Sequence, residues 1–193
     1  MVKSTGNKKV KTAVFISGTG SNLKSLIKFS KTKKSPIAIN LIISNNPNSK
    51  GLKLGKINKI KKKVFNFKKK YKIENQILSV LKEYEIKMIC LAGFMKILSQ
   101  NFITKFRGKI LNIHPSYLPK YKGLNTHQRA LDNKEKYSGC TVHLVNSKLD
   151  SGKIILQKKV KISKNDTRKS LAQKVLVQEH KLYPKAILKV FNL

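Results

Sequence analysis

Residues 12–27, TAVFISGTGSNLKSLI, decide the fold class. The first six are a short apolar run rich in β-formers, the composition of a strand buried on both faces of a parallel sheet. Gly18-Thr19-Gly20-Ser21-Asn22 interrupts the run, and Leu23, Leu26 and Ile27 then follow at helical spacing. A strand, a glycine turn and a helix start in succession aim backbone N–H groups and the positive end of a helix at one point, which suits an anion. The loop is not GxGxxG, because Leu23 stands at the third glycine, and no GK[ST] follows as in Walker A. By itself the loop fits either a monophosphate cradle or a plain tight turn.

The same alternation continues along the chain. Residues 37–44 (IAINLIIS) read as a second buried strand, closed by Asn45-Asn46-Pro47-Asn48. A modest helix over 51–60, a short strand at 64–65 and an amphipathic helix over 73–84 come next. Residues 88–92 (MICLA) form another buried strand, and the apolar run 93–98 after it is either a hydrophobic staple or one wall of a flat aromatic ligand site. A helix with Phe102 and Phe106 leads to a fifth strand, 110–114. Residues 141–145 and 154–160 read as partner strands joined through the turn 149–152. Asn165 or Asp166 caps a terminal helix that Pro184 breaks or kinks. These elements predict an α/β fold, a Rossmann-like mostly parallel sheet with helices on both faces and antiparallel strands near the C-terminal part. The organisation expected is a basic tail over 1–11 and one domain over 12–193.

The richest chemistry lies in residues 111–131, LNIHPSYLPKYKGLNTHQRAL. Asn112 and His114, two apart on a strand, point to the same side, so an amide and an imidazole converge. Pro115 ends the ladder, Pro119 and Gly123 keep the following loop irregular, and Thr126 is placed to cap a short helix over 127–131. In open α/β sheets this kind of strand end carries the chemistry. Acids are few, 8 in all, and most fall on expected helix surfaces or turns. Asp150 instead sits in the glycine-containing loop between the last two strands. A carboxylate there, set beside an imidazole, would raise its pKa and orient it as a general acid.

The chain carries 43 Lys and Arg against those 8 acids, a net charge of +35. Such a balance ordinarily suggests nucleic acid. Here the lysines are spread over nearly every segment, and the arginines are only Arg107, Arg129 and Arg168. Bidentate base and phosphate readers rely on Arg, so a compositional bias over an ordinary fold is expected, with its field attracting anionic substrates. No stretch has the apolar length of a membrane span, and no apolar core follows the basic N-terminus as in a signal peptide. Cys90 and Cys140 show no metal or redox spacing and read as reduced core thiols of a cytoplasmic protein.

Several segments together resemble the phosphoribosylglycinamide formyltransferase family: ISGTGSNL (16–23), AGFMKILS (92–99), residues 111–131, GCTVHLV (139–145), LDSGKIILQ (149–157) and QEHKLYP (178–184). The Asn-x-His-Pro-Ser and Asp-x-Gly pieces are common to all formyltransferases using 10-formyltetrahydrofolate. The glycine loop and Gly-Leu-Asn-Thr-His select this member. The resemblance implies that Gly18, Thr19, Gly20, Ser21 and Asn22 bind the 5′-phosphate of 5-phosphoribosylglycinamide (GAR), and that Glu179 holds its amine. It implies that Met95, Lys96, Ile97 and Leu98 line the folate pocket, with Lys70 and Asn112 also contacting folate, and that Asn112, His114 and Asp150 are catalytic. Lys96 stands where the family usually has Arg, Lys70 matches a folate-contacting Arg loosely, and Tyr117 replaces a usual Leu.

The expected co-substrate is 10-formyltetrahydrofolate, with no metal, no specific nucleic acid and no membrane partner, in a monomer or homodimer. Methionyl-tRNA formyltransferase and formyltetrahydrofolate hydrolase are the rival enzymes. The first carries an additional C-terminal domain and the second a regulatory domain in front. A nucleic-acid-binding protein on a decayed enzyme scaffold is the rival from another class.

Overall fold

The chain is described from a computed structural model covering residues 9–67 and 70–193, with no side chain described at Lys70. The expected tail lies largely outside this range, and the first strand already begins at Val10. The strands are β1 (Val10–Ile16), β2 (Ile37–Ser44), β3 (Lys61–Val64), β4 (Met88–Leu91), β5 (Lys109–His114), β6 (Tyr137–Leu144) and β7 (Ile154–Lys161). They form one sheet in the order β3-β2-β1-β4-β5-β6-β7. Pairings from β3 to β5 are parallel, and β6 and β7 join antiparallel. The predicted mixed sheet is therefore present.

The helices are α1 (Ser21–Ser30), α2 (Leu52–Ile57), α3 (Lys70–Glu83), α4 (Gln100–Lys105), α5 (Thr126–Asp132) and α6 (Arg168–Val190). Both sheet faces are covered, which is why β1 and β4 read as unbroken apolar runs. On one face Leu23, Leu26 and Ile27 of α1 and Leu171, Val175, Tyr183 and Ile187 of α6 pack on Val14, Ile16 and Cys90. On the other, Ile77 and Leu81 of α3 and Phe102 of α4 pack on Phe15, Ile43 and Ile89. Cys90 and Cys140 are buried free thiols, as expected, and burial pushes both up to about 12. Among the described residues no helix is long and apolar enough to cross a membrane.

Three local expectations are corrected. Thr126 is the first residue of α5, not its cap; Asn125 occupies the N-cap in a left-handed conformation without a side-chain cap bond. The cap of α6 is Thr167, whose hydroxyl accepts from Ser170 N–H while Ser170 Oγ accepts from Thr167 N–H. This reciprocal box satisfies two helix-end donors, and Asp166 serves one step earlier by accepting from Ser163 N–H. Finally, of the break or kink expected at Pro184, the break does not occur: α6 continues as one helix through that residue. Proline at 184 cannot bond the carbonyl of residue 180, and Ser25 of α1 donates its hydroxyl to that His180 carbonyl at 3.0 Å instead.

Order reverses between β1 and β4, which continue to opposite edges, and there open α/β sheets bind ligands beyond the strand ends. The loops after β1 and β4 are tied to each other: Ser17 N–H donates to the Gly93 carbonyl at 3.1 Å, and Met95 N–H to Ser17 Oγ at 2.8 Å. Glu74 of α3 is buried. It accepts from Ser99 N–H at 2.8 Å and from the Ser99 hydroxyl, while Ser99 Oγ caps α4. This carboxylate anchors the far end of the apolar loop.

Candidate active site

Asn112 and His114 end β5 and face the same side, as their spacing predicts. Antiparallel pairing then sets Asn112 opposite His143 and His114 opposite Thr141. Thr141 is spent on structure: its hydroxyl donates to the Ser116 carbonyl at 2.8 Å and accepts from Leu118 N–H at 3.1 Å. It thereby holds the chain as it leaves His114.

Asp150 reaches the same point from the β6–β7 connection. Its backbone is left-handed, φ 45°, a conformation that Asp and Asn tolerate better than most residues. Gly152 is required two residues later, because a Cβ there would lie 1.7 Å from the Leu144 carbonyl oxygen. The Asp-x-Gly pattern thus has a steric reason. One carboxylate oxygen, Oδ2, accepts from Gly123 N–H at 2.9 Å and lies 3.4 Å from His114 Nδ1. The other, Oδ1, is 3.4 Å from Asn112 Nδ2 and 3.7 Å from His143 Nε2.

The hydrogen-bond partners define the proton positions. His114 Nε2 is 2.9 Å from the Tyr121 carbonyl, and a carbonyl only accepts, so Nε2 bears the hydrogen. His143 Nδ1 likewise donates to the Leu144 carbonyl at 2.8 Å, and its Nε2 receives Asn112 Nδ2 at 3.2 Å. Asn112 therefore gives one N–H to His143. Its second N–H donates to Asp150 Oδ1 at 3.4 Å, a long bond that a better-placed ligand oxygen can replace.

The expected rise in the His114 pKa does not occur. Burial pushes the imidazole below its ordinary value, outweighing the upward pull of the Tyr121 carbonyl and of Asp150. Burial also works to raise the Asp150 carboxyl, but the His143 ring, Gly123 N–H and the His114 charge interaction together hold it below the usual carboxylate value. At neutral pH the pair is a neutral imidazole beside an ionised carboxylate.

These groups border a cavity of about 560 Å³, a size typical of small-molecule sites. One wall is Met95, Lys96, Ile97 and Leu98, with the Met95 and Ile97 side chains more than half exposed. Apolar side chains left open beside convergent polar groups mark a ligand surface. Asn22 and Glu179 also line the cavity, and Asn22 Nδ2 donates to Glu179 Oε2 at 2.6 Å. Burial raises the Glu179 pKa, against the lowering effect of that hydrogen bond. Asn22 Oδ1 is buried with no partner among the described residues.

Of the glycine loop, Asn22 alone lines the cavity. Gly20 is left-handed at φ 79° and precedes α1, whose first N–H groups receive no side-chain cap from it. The Lys70 side chain lies outside the described residues. His143, His127 and Arg168 also border the cavity and escaped sequence reading. Only a knowledge of β5–β6 register could have found His143. Among the described residues no group of three or more His, Cys, Asp or Glu side chains is placed to hold a metal ion.

An amide, an imidazole and a carboxylate thus meet at the strand ends of such a sheet, and the chain belongs to the formyl transferase family, which it matches over residues 10–187. Among individual relatives, the trifunctional purine biosynthetic protein adenosine-3 of Homo sapiens is 43% identical over 93% of this chain. The chain spans only 18% of that protein's length. Phosphoribosylglycinamide formyltransferase of Haemophilus influenzae is 42% identical over 92% of this chain and 85% of its own. The crystal structure of phosphoribosylglycinamide formyltransferase from Brucella melitensis superposes with a TM-score of 0.89 at 43% identity, covering 95% and 96% of the two chains.

Proposed function

We propose that this protein transfers the formyl group of 10-formyltetrahydrofolate to the amine of GAR in purine biosynthesis, in the cytoplasm, through one domain over residues 12–193. The observation that carries the reading is the convergence of Asn112, His114 and Asp150 on a cavity lined also by the apolar run 95–98 and by the Asn22–Glu179 acceptors. The apolar wall suits the flat ring of the folate. The acceptors suit a ligand rich in N–H and O–H groups, as the glycinamide and ribose are.

The chemistry follows from the proton positions. The neutral amine attacks the formyl carbon, forming a C–N bond and placing negative charge on the former carbonyl oxygen. The second N–H of Asn112 leaves its long bond to Asp150 and meets that oxygen, a contribution on the order of 3–4 kcal/mol for one well-placed donor. His114 Nδ1 bears a lone pair and takes the proton that the amine sheds, and Asp150 stabilises the imidazolium so formed. The proton then goes to the folate nitrogen as its bond to carbon breaks. His114 thus starts as an acceptor and becomes the acid.

The direct test is formyl transfer by the purified protein with GAR, tRNA or water as acceptor. Formyl-GAR as the dominant product supports the reading; formyl-methionyl-tRNA or free formate in its place overturns it.

The glycine loop can be tested at two positions with opposite steric situations. A Cβ at Gly18 would meet nothing within 4 Å, whereas at Gly20 it would lie 2.7 Å from Gly51 Cα. Gly18→Ala should therefore keep Tm and raise KM for GAR alone, because only an approaching phosphate would meet the added methyl. Gly20→Ala adds overpacking to a left-handed backbone and should cost roughly 1–3 kcal/mol of stability. Unchanged GAR kinetics in Gly18→Ala would remove the loop from phosphate recognition.

Nucleic acid is not a proposed partner. The Lys61, Lys62 and Lys63 side chains lie on exposed edge strand β3, and Lys158, Lys159 and Lys161 on the opposite edge strand β7. Lysines on an exposed strand edge discourage strand pairing with other chains. Duplex DNA and tRNA should bind weakly, without sequence preference and with steep salt dependence in a gel-shift or anisotropy titration. Tight, sequence-selective binding at physiological salt would contradict this.

A further inference from the structure

We propose that Tyr121 is a positioning residue for the reaction, its backbone carbonyl selecting the His114 tautomer and its side chain latching that carbonyl in place through Glu135. The inference rests on the reading of His114 as the proton acceptor.

His114 has two places for its single proton. On Nδ1 the proton would point at Asp150 Oδ2, 3.4 Å away, and form a charge-assisted hydrogen bond in the resting protein. Nδ1 would then have no lone pair for the amine proton. The alternative form bears the proton on Nε2, donated to the Tyr121 carbonyl at 2.9 Å. Only this form leaves Nδ1 basic, with a carboxylate in place for the imidazolium. A carboxylate is the stronger acceptor of the two, so the productive form persists only while the carbonyl is held in line.

Holding it there has a conformational cost, since Tyr121 has a left-handed backbone at φ 57° without being glycine. The side chain offsets that cost. Tyr121 O–H donates to Glu135 Oε1 at 2.8 Å, and Lys120 Nζ donates to the same oxygen at 2.7 Å. The Arg129 guanidinium lies 5.2 Å from the Tyr121 ring centroid, within cation–π range. Arg129 Nη1 also donates to the Lys122 carbonyl at 2.7 Å, and Ser116 Oγ to the Lys120 carbonyl at 2.7 Å. The Tyr121 side chain is thereby held by α5 and by Glu135 just after it, while the carbonyls of its two chain neighbours are tied to Ser116 and to Arg129.

The latch is tested with Tyr121→Phe and Glu135→Ala, which break the hydrogen bond, and with Glu135→Gln, which keeps an acceptor oxygen. Nitrogen-15 NMR of histidine-labelled resting protein reads the tautomer directly, with the His114 signal assigned from a His114→Gln sample. In the wild type Nε2 is expected to carry the proton; the two latch-breaking variants should show a growing fraction protonated on Nδ1. Their kcat should fall about tenfold, a small part of what a general acid–base group contributes, with KM for both substrates unchanged. Glu135→Gln should retain most of the wild-type tautomer and rate. An unchanged tautomer in Tyr121→Phe and Glu135→Ala overturns the proposal, even if both melt lower, and so does an equal effect of Glu135→Gln. The tautomer is read without substrate, so it tests the latch whichever acceptor the enzyme proves to use.

Discussion

Asp150→Asn is expected to lower kcat by about 10²–10⁴-fold, the range that general acid–base catalysis supplies, while the protein stays folded. Asparagine suits the left-handed backbone at this position, φ 45°, and its amide oxygen can still accept the Gly123 N–H. What disappears is the negative charge that stabilises His114 once it has taken the amine proton. That charge acts on a species formed only during turnover, so KM for either substrate should change little.

The pH profile gives a second, signed readout. Burial already lowers the His114 pKa, and Asp150 opposes that shift. Activity needs the unprotonated ring, so kcat should decline on the acid side as pH falls through the His114 pKa. Removing the carboxylate removes an upward pull, so the acid limb should move to lower pH in Asp150→Asn. A variant with near-normal kcat and only a lower Tm would leave Asp150 as a turn-shaping residue. An acid limb moved to higher pH would show that the charge acts in the opposite sense.

The sequence made some of this legible because some of it is local. Asn112 and His114 two apart on a strand needed only side-chain alternation, and the apolar runs at β1, β2 and β4 needed only composition. His143 was not legible, although it touches both Asn112 and Asp150. Its neighbours come from strand register and from a turn seven residues on. The same holds for Pro184, whose helix stays whole and whose unpaired i−4 carbonyl is bonded by a serine on α1. The His114 shift runs against the sequence expectation for a related reason: a nearby acid is legible in the sequence, but the depth of burial that opposes it depends on the packed fold. Glu74 shows the same dependence on packing, a carboxylate buried against the Ser99 cap.

Asn112→Ala should be the other large loss, about 10²–10³ in kcat, as for removal of one oxyanion donor. The amide is oriented by His143, whose Nδ1–H is tied to the Leu144 carbonyl so that Nε2 accepts from Asn112 Nδ2. His143→Phe keeps an aromatic ring but deletes that acceptor, so the amide can rotate and present its oxygen to the developing negative charge. The expected cost is about tenfold, since only part of the donor's population is lost. In the Asn112→Ala background the same change should cost little more, because the group it orients is already gone. A double-mutant cycle in kcat therefore decides the point. Strong non-additivity supports orientation of Asn112 by His143, whereas additive losses would mean that His143 acts on the reaction independently, through Asp150, 3.7 Å away.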